Sequence, residues 1–283
     1  MWVRIETFFH KKAGYLLLIP TVAVLLFLII YPMIYSIWLS LHTWYLSKPQ
    51  WFPFVGLKNY YVLIFEDKVF RIALFNTFIL TGVCVPVEFG LGFLLAILLT
   101  REDIKGRKFF RACFVMPLAI TPIVVGVLWR FILHPRYGIL NYGLGFLSIQ
   151  PIQWVADPRF ALISVMMVDI WEWTPFMFLA FFAAIQALPI ELYDAAAVDG
   201  ASNFQIFRHI ILPLITPVIV TITLIRIIDA FKLFELVFGI TSGGPASATE
   251  SLSYYVYLTG IKWFDLGKGA AMSWIFLVIV LGI

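Results

Sequence analysis

Long apolar runs alternate with short polar segments along this chain. A membrane-crossing helix needs ~20 consecutive, mostly apolar residues. Six runs approach or meet that length: about Gly14 to Leu41, Ile72 to Thr100, Ala112 to Leu133, Phe160 to Leu188, Pro213 to Ile240, and Gly269 to Ile283. The pattern predicts an all-α polytopic membrane protein, a single transmembrane domain over residues 1–283. The sixth run would rise only ~22 Å as helix against a ~30 Å hydrocarbon core, so the span is expected to continue past Ile283. The first run is too long for a cleavable signal peptide, and no small-residue cleavage site follows it.

Between the fourth and fifth runs lies a polar interruption, LPIELYDAAAVDGASNFQIFRHIILP, from Leu188 to Pro213. Pro189 suits a helix start. Glu191 and Asp194 place negative charge near that helix's amino end. Gly200 is a natural helix stop. Ser202 with Gln205 reads as a capping box for a second short helix, on which Phe204 and Phe207 share a face. The segment is too polar for lipid and too well patterned for a linker. A hairpin over 189–212 is expected to present a coupling surface to a soluble partner, although the same features suit a packed turn with none.

Composition agrees with the membrane reading. The chain is 62% hydrophobic and 13% charged, with mean hydropathy +0.97, more apolar surface than a soluble domain of this size can hide. The net charge of +4 comes with no basic run of the kind that binds nucleic acid. Cys84 and Cys113 fall in apolar runs, which is no disulfide framework. His10, His42, His134 and His209 sit at run edges, and no metal-ligand spacing occurs. Arg4, Lys11 and Lys12 precede the first run, and Arg101, Lys105, Arg107, Lys108 and Arg111 follow the second. Both groups belong on the cytoplasmic side, which puts the amino terminus there and, by counting runs, the hairpin too. Trp44, Trp51 and Trp154, in the longer loops opposite, fit an interfacial aromatic belt.

Ionisable residues inside the apolar runs are candidates for function or for structural pairing. Counting helical rise puts Asp169 ~14 Å down the fourth run and Arg226 at nearly the same depth on the fifth. Arg226, Asp229, Lys232 and Glu235 alternate in sign at three-residue spacing, a one-face ladder. Asp169, Glu172 and Phe176 share a stripe, with Trp173 ~40° away and Trp171 ~200° away. Carboxylates and aromatics together suit sugar hydroxyls and C–H faces. The expected substrate path is therefore Asp169, Glu172, Trp173, Phe176, Arg226, Asp229 and Lys232. Glu88, ~24 Å down the second run, is expected to affect only assembly, and Arg130 to snorkel. An ion-pair network binding spans together is the competing reading.

The hairpin resembles the EAA loop of permease subunits of binding-protein-dependent ABC importers. Asp194-Ala195-Ala196, then Gly200, Ile210, Leu212 and Pro213, stand at that family's spacing, with Asp194 where Glu is usual. FVGLKNY at Phe54 to Tyr60, FRIALFNT at Phe70 to Thr77, GRKFFRACFVMPLAITPIVVGVLW at Gly106 to Trp129 and ITSGGP at Ile240 to Pro245 resemble its sugar-type branch, as does YVYLTGIKWFDLGKGAAMSW at Tyr255 to Trp274. The resemblance implies a six-span permease in a prokaryotic plasma membrane. Its partners would be a second, different permease chain, two ATPase subunits holding ATP and magnesium, an extracytoplasmic solute-binding protein, a sugar and membrane lipid. Glu191, Asp194, Ala195, Ala196, Gly200, Phe204 and Phe207 would contact the ATPase subunit, and the short Asp194 would reach it less well than Glu. No G-x-x-x-x-G-K-[ST] occurs, so this chain is not expected to hydrolyse ATP or to carry a cofactor. A polyol or glycerol phosphate is the alternative cargo; an anionic one would favour use of Arg226 and Lys232. A secondary transporter would be expected to show an internal repeat, and none is evident.

Overall fold

The structure, a computed structural model, describes residues 17–100 and 105–283. Arg4, Lys11, Lys12 and Arg101, on which the expected orientation partly rests, lie outside the described residues, as does His10. The architecture is helical, as the run pattern predicts. Among the described residues, four helices are long and apolar enough to cross a membrane: α1 (Leu17–Ser40), α2 (Lys68–Thr100), α5 (Pro158–Gln186) and α7 (Asn203–Phe231). Between α2 and α5 lie α3 (Arg107–Val115), extended by a 3-10 turn over Met116–Ala119, and α4 (Pro122–Ile132). The shorter helices include α6 (Ile190–Val198), α8 (Glu235–Ile240) and α9 (Leu266–Leu281).

The third expected span is not one straight helix. Arg107–Ala119 and Pro122–Ile132 meet at 101°. Pro117 and Pro122 flank the break. Each removes a backbone donor, and Pro122 also drives Thr121 into extended backbone (φ −69°, ψ 138°). Together they count as one span at most.

The fifth expected span also differs. It begins at Asn203 rather than Pro213, because the second hairpin helix runs on through a π-turn at Phe207–Ile211 into α7. Pro213 falls in the first turn of the segment starting at Leu212, and the π-turn just before it absorbs the backbone bond a mid-helix proline forfeits. The helix then stops at Phe231, with Lys232 as its cap. The charge ladder therefore breaks: Glu235 opens α8 on a different axis, and Lys232 and Glu235 are both exposed.

The described residues form two compact units, one from those up to Asp67 together with Val256–Gly282, the other from Lys68–Tyr255. In the first, α9 lies on α1: the Trp274 indole donates to Ser36 Oγ at 2.9 Å, and the Lys268 ammonium pairs with Asp67 at 2.6 Å. Asn59 ties the loop after α1 to its end by donating to the Ser40 and His42 carbonyls. In the second, α2 and α5 form the main pair, and α7 packs across both. Val85, Met177, Phe178, Phe181, Ile215 and Ala230 make its apolar centre. In lipid such packing rests on close fit rather than on water exclusion. Gly92 supplies that fit: a Cβ there would stand 2.6 Å from the Met177 Cβ and 2.8 Å from the Phe178 nitrogen.

Candidate functional site

Two places carry chemistry in the Lys68–Tyr255 unit. The first is a buried charge cluster on three helices. Arg226 of α7 grips Glu88 of α2 with two hydrogen bonds, Nε to Oε2 at 2.7 Å and Nη2 to Oε1 at 2.9 Å. Its Nη2 also donates to Asp169 Oδ2 of α5 at 2.6 Å. The three side chains are 0–1% exposed. Asp229, one turn on, lies 3.5 Å from Nη1 and is 47% exposed, the accessible edge of the cluster. Trp173 covers the guanidinium, its ring centre 4.9 Å from Cζ, and meets Phe176 edge-on. A planar fork donating to two carboxylates is the geometry for which arginine is suited and lysine is not.

The cluster brings together Asp169 and Arg226, which the depth count places level, and adds Glu88, which the same count places near the opposite face. That count starts each helix at the membrane edge. The 33 residues of α2 span ~50 Å, far more than a hydrocarbon core, so depth along it cannot be read from its start. Glu88 lies about 20 residues into α2 and Asp169 about 11 into α5, and an overhang of ~13 Å brings the two level.

Glu172 is 2% exposed, and its Oε2 has no hydrogen-bond partner, as is true of Asp169 Oδ1. The stripe of Asp169, Glu172 and Phe176 thus turns into the helix packing. Cys84 Sγ, Glu88 and Asp169 have ligand atoms within 4.8 Å of one another, a spacing a metal ion could use. Both carboxylates are already engaged by Arg226, which occupies the cation's place.

The second place is a cavity of about 610 Å³ on the other face of α5. It is walled by Leu91 and Leu94 of α2, Pro117 at the break, and Ile170, Trp171 and Thr174 of α5. Among the described residues, no charged side chain lines it. Trp171 is 40% exposed and held edge-on by Trp129 of α4, ring centres 5.5 Å apart. Measured from Asp169 on an ideal helix, Trp171 ranks behind Trp173. The structure puts Trp171 on the cavity and Trp173 over Arg226. The proline pair around the break was the available signal, since broken helices line cavities inside membranes.

The hairpin forms as its capping signals predict. α6 is capped by Asp199 and followed by Gly200, whose φ of +71° is the left-handed conformation that favours glycine. Ser202 and Gln205 make the reciprocal capping box. Pro189 is the cap rather than the first helical residue. Glu191, Asp194, Ala195 and Gly200 are exposed, and Ala196 is buried. The two phenylalanines do not face the same environment: Phe204 is 66% exposed, whereas Phe207 packs on Phe93 of α2 with ring centres 5.8 Å apart. Behind the hairpin, Tyr193 lines a cleft with Ile97, Ile185 and Phe207, and burial raises its hydroxyl pKa. Ile190, Val198 and Phe204 leave apolar surface on the outer side.

Residues 89–283 match the family described as binding-protein-dependent transport system inner membrane component. The trehalose/maltose transport system permease protein MalF of Thermococcus litoralis is 37% identical over 275 residues, 96% of this chain and 91% of that protein. The sn-glycerol-3-phosphate transport system permease protein UgpA of Yersinia pseudotuberculosis is 30% identical over 95% of this chain and 90% of its own. A crystal structure of a bacterial ABC transporter involved in import of the acidic polysaccharide alginate superposes with a TM-score of 0.81 at 26% identity, covering 99% of this chain and 96% of that one.

Proposed function

We propose how a chain that belongs to the family of binding-protein-dependent transport system inner membrane components moves its cargo. It is a permease of an ABC sugar importer. The observation that carries the reading of the path is the cavity beside Trp171. A sugar ring stacks a C–H face on the exposed indole, and the Thr174 hydroxyl, whose proton goes to the Ile170 carbonyl at 2.6 Å, serves as an acceptor. The Glu88–Arg226–Asp169 cluster fixes α2 and α5, two walls of that path, against α7. Asp169, Glu172 and Phe176 act from behind it rather than by direct contact.

The hairpin lies on the cytoplasmic side, and the amino terminus with it. Asp194, Glu191 and Phe204 meet an ATPase subunit that holds ATP and magnesium. Two such subunits, a second permease chain and an external solute-binding protein complete the importer, and the whole chain serves as one transmembrane domain with six spans. Because α7 runs unbroken from the hairpin at Asn203 to Phe231, movement of the hairpin is delivered along one helix to Arg226. That is a positioned lever rather than a flexible link.

The test is Trp171→Ala in the reconstituted importer. Loss of the stacking surface is expected to raise the sugar concentration for half-maximal transport roughly tenfold, ~1.4 kcal/mol, with ATP hydrolysis in the absence of sugar unchanged. An unchanged half-maximal concentration removes the cavity from the path.

A further inference from the structure

We infer that the basic and aromatic faces of α3 form a docking surface for anionic phospholipid, at the end of the molecule that carries the hairpin. This surface stands apart from the cargo path and does not depend on which sugar passes. Arg111 of α3 donates from Nη2 to the carbonyl of Leu99, the last residue but one of α2. Its guanidinium lies 4.0 Å from the ring centre of Phe182, four residues before the end of α5. The hairpin follows α5 directly. The basic end of α3 therefore sits at the shared end of two long apolar helices, the level at which headgroups replace hydrocarbon.

The chemistry of α3 suits that level. Arg107, Lys108 and Arg111 fall within ~100° of the helix circumference, whereas Phe109, Phe110, Cys113 and Phe114 share a separate arc of ~140°. Arg111 is turned inward and anchors the helix to α2 and α5. Lys105 and Lys108 are exposed, and so are Phe109 and Phe110 beside them. Cations on one face and bare phenylalanines on the other match the boundary between headgroups and acyl chains. Between Thr100 and Val115 the sequence holds Arg101, Lys105, Arg107, Lys108 and Arg111 against Glu102 and Asp103, so the segment is cationic as a whole. Charge also separates a lipid from a soluble subunit as the occupant. The exposed hairpin carboxylates Glu191, Asp194 and Asp199 suit a cationic partner, which the basic face of α3 repels. An anionic phospholipid supplies both the negative charge and the apolar contact that α3 lacks.

The test labels the nanodisc-embedded permease–ATPase complex with a phosphatidylglycerol carrying a diazirine on its acyl chain, and in parallel with the matching phosphatidylcholine. Mass spectrometry then reads the labelled peptides. The peptide holding Phe109 and Phe110 is expected to take roughly tenfold more phosphatidylglycerol than phosphatidylcholine, while α1 takes both alike. Lys105→Gln with Lys108→Gln changes two exposed side chains, so folding is not at stake, and is expected to bring that ratio to about twofold or less. Raising the salt to ~1 M, where screening acts within ~3 Å, is expected to do the same to wild type. Equal labelling of wild type by the two lipids overturns the inference, as does a ratio that neither the substitutions nor the salt change. A peptide labelled by neither lipid overturns it too, and a lysine-directed cross-link from Lys108 to a neighbouring subunit then identifies a protein as the occupant.

Discussion

Replacing Arg226 with methionine isolates the term that holds the three central helices together. The substitution keeps most of the side chain's length and packing but leaves Glu88 and Asp169, 0% and 1% exposed, without their shared cation. Breaking a buried pair from one side costs about 3–5 kcal/mol, because an uncompensated charge remains in a medium that solvates it poorly. Three charge-assisted hydrogen bonds go with it. Removing every charge at once should cost far less, since neutral replacements of a buried ion cluster are often close to neutral in stability. The triple variant Arg226→Met, Glu88→Gln, Asp169→Asn is thus expected to regain at least ~2 kcal/mol over Arg226→Met alone. Equilibrium unfolding in mixed dodecyl maltoside and dodecyl sulfate micelles gives both differences. A single variant within ~1 kcal/mol of wild type, or a triple variant no better than the single one, refutes the account of the cluster.

Three further outcomes are expected. Gly92→Ala should destabilise the α2–α5 pair by about 1–3 kcal/mol in the same assay, because the new methyl meets the Phe178 backbone as well as Met177 and neither can move aside. Gly200→Val should leave the protein inserted but uncouple transport. A β-branched residue at φ +71° carries strain of roughly 1–3 kcal/mol and opens the turn, and uptake normalised to membrane abundance reads the effect. Asp194→Lys should abolish co-purification of the ATPase subunit, with partial rescue by an acidic residue on that subunit, as a double-mutant cycle measures.

Much of this fold can be read from residue type and spacing. The apolar runs mark the spans, and the capping box at Ser202 and Gln205 with Gly200 before it defines the hairpin to within a residue or two. Those features are local: a glycine with positive φ or a serine cap needs only its neighbours. What depends on how helices are offset from one another is less legible. Asp169 and Arg226 do meet, as counting from Phe160 and Pro213 has it, although α7 itself begins earlier at Asn203, whereas Glu88 does not come out level, because α2 overhangs α5. A stripe calculation correctly groups Asp169, Glu172 and Phe176 but cannot say which neighbour the stripe faces. The structure turns it toward Arg226 and gives the cavity to Trp171. The break at Pro117 and Pro122 lay in plain view, and its consequence, a cavity at the bend, follows from the backbone donors that prolines remove.

The central claim is that this chain passes sugar only when ATP hydrolysis beneath it is coupled to a binding protein outside. Uptake of radiolabelled sugar into proteoliposomes holding the complete importer, with ATP enclosed and the binding protein added outside, tests that claim directly. Accumulation against a gradient is expected only with both present, and loss of either, or Gly200→Val in this chain, should return uptake to the level of empty vesicles. Concentrative uptake that persists without enclosed ATP would contradict the account.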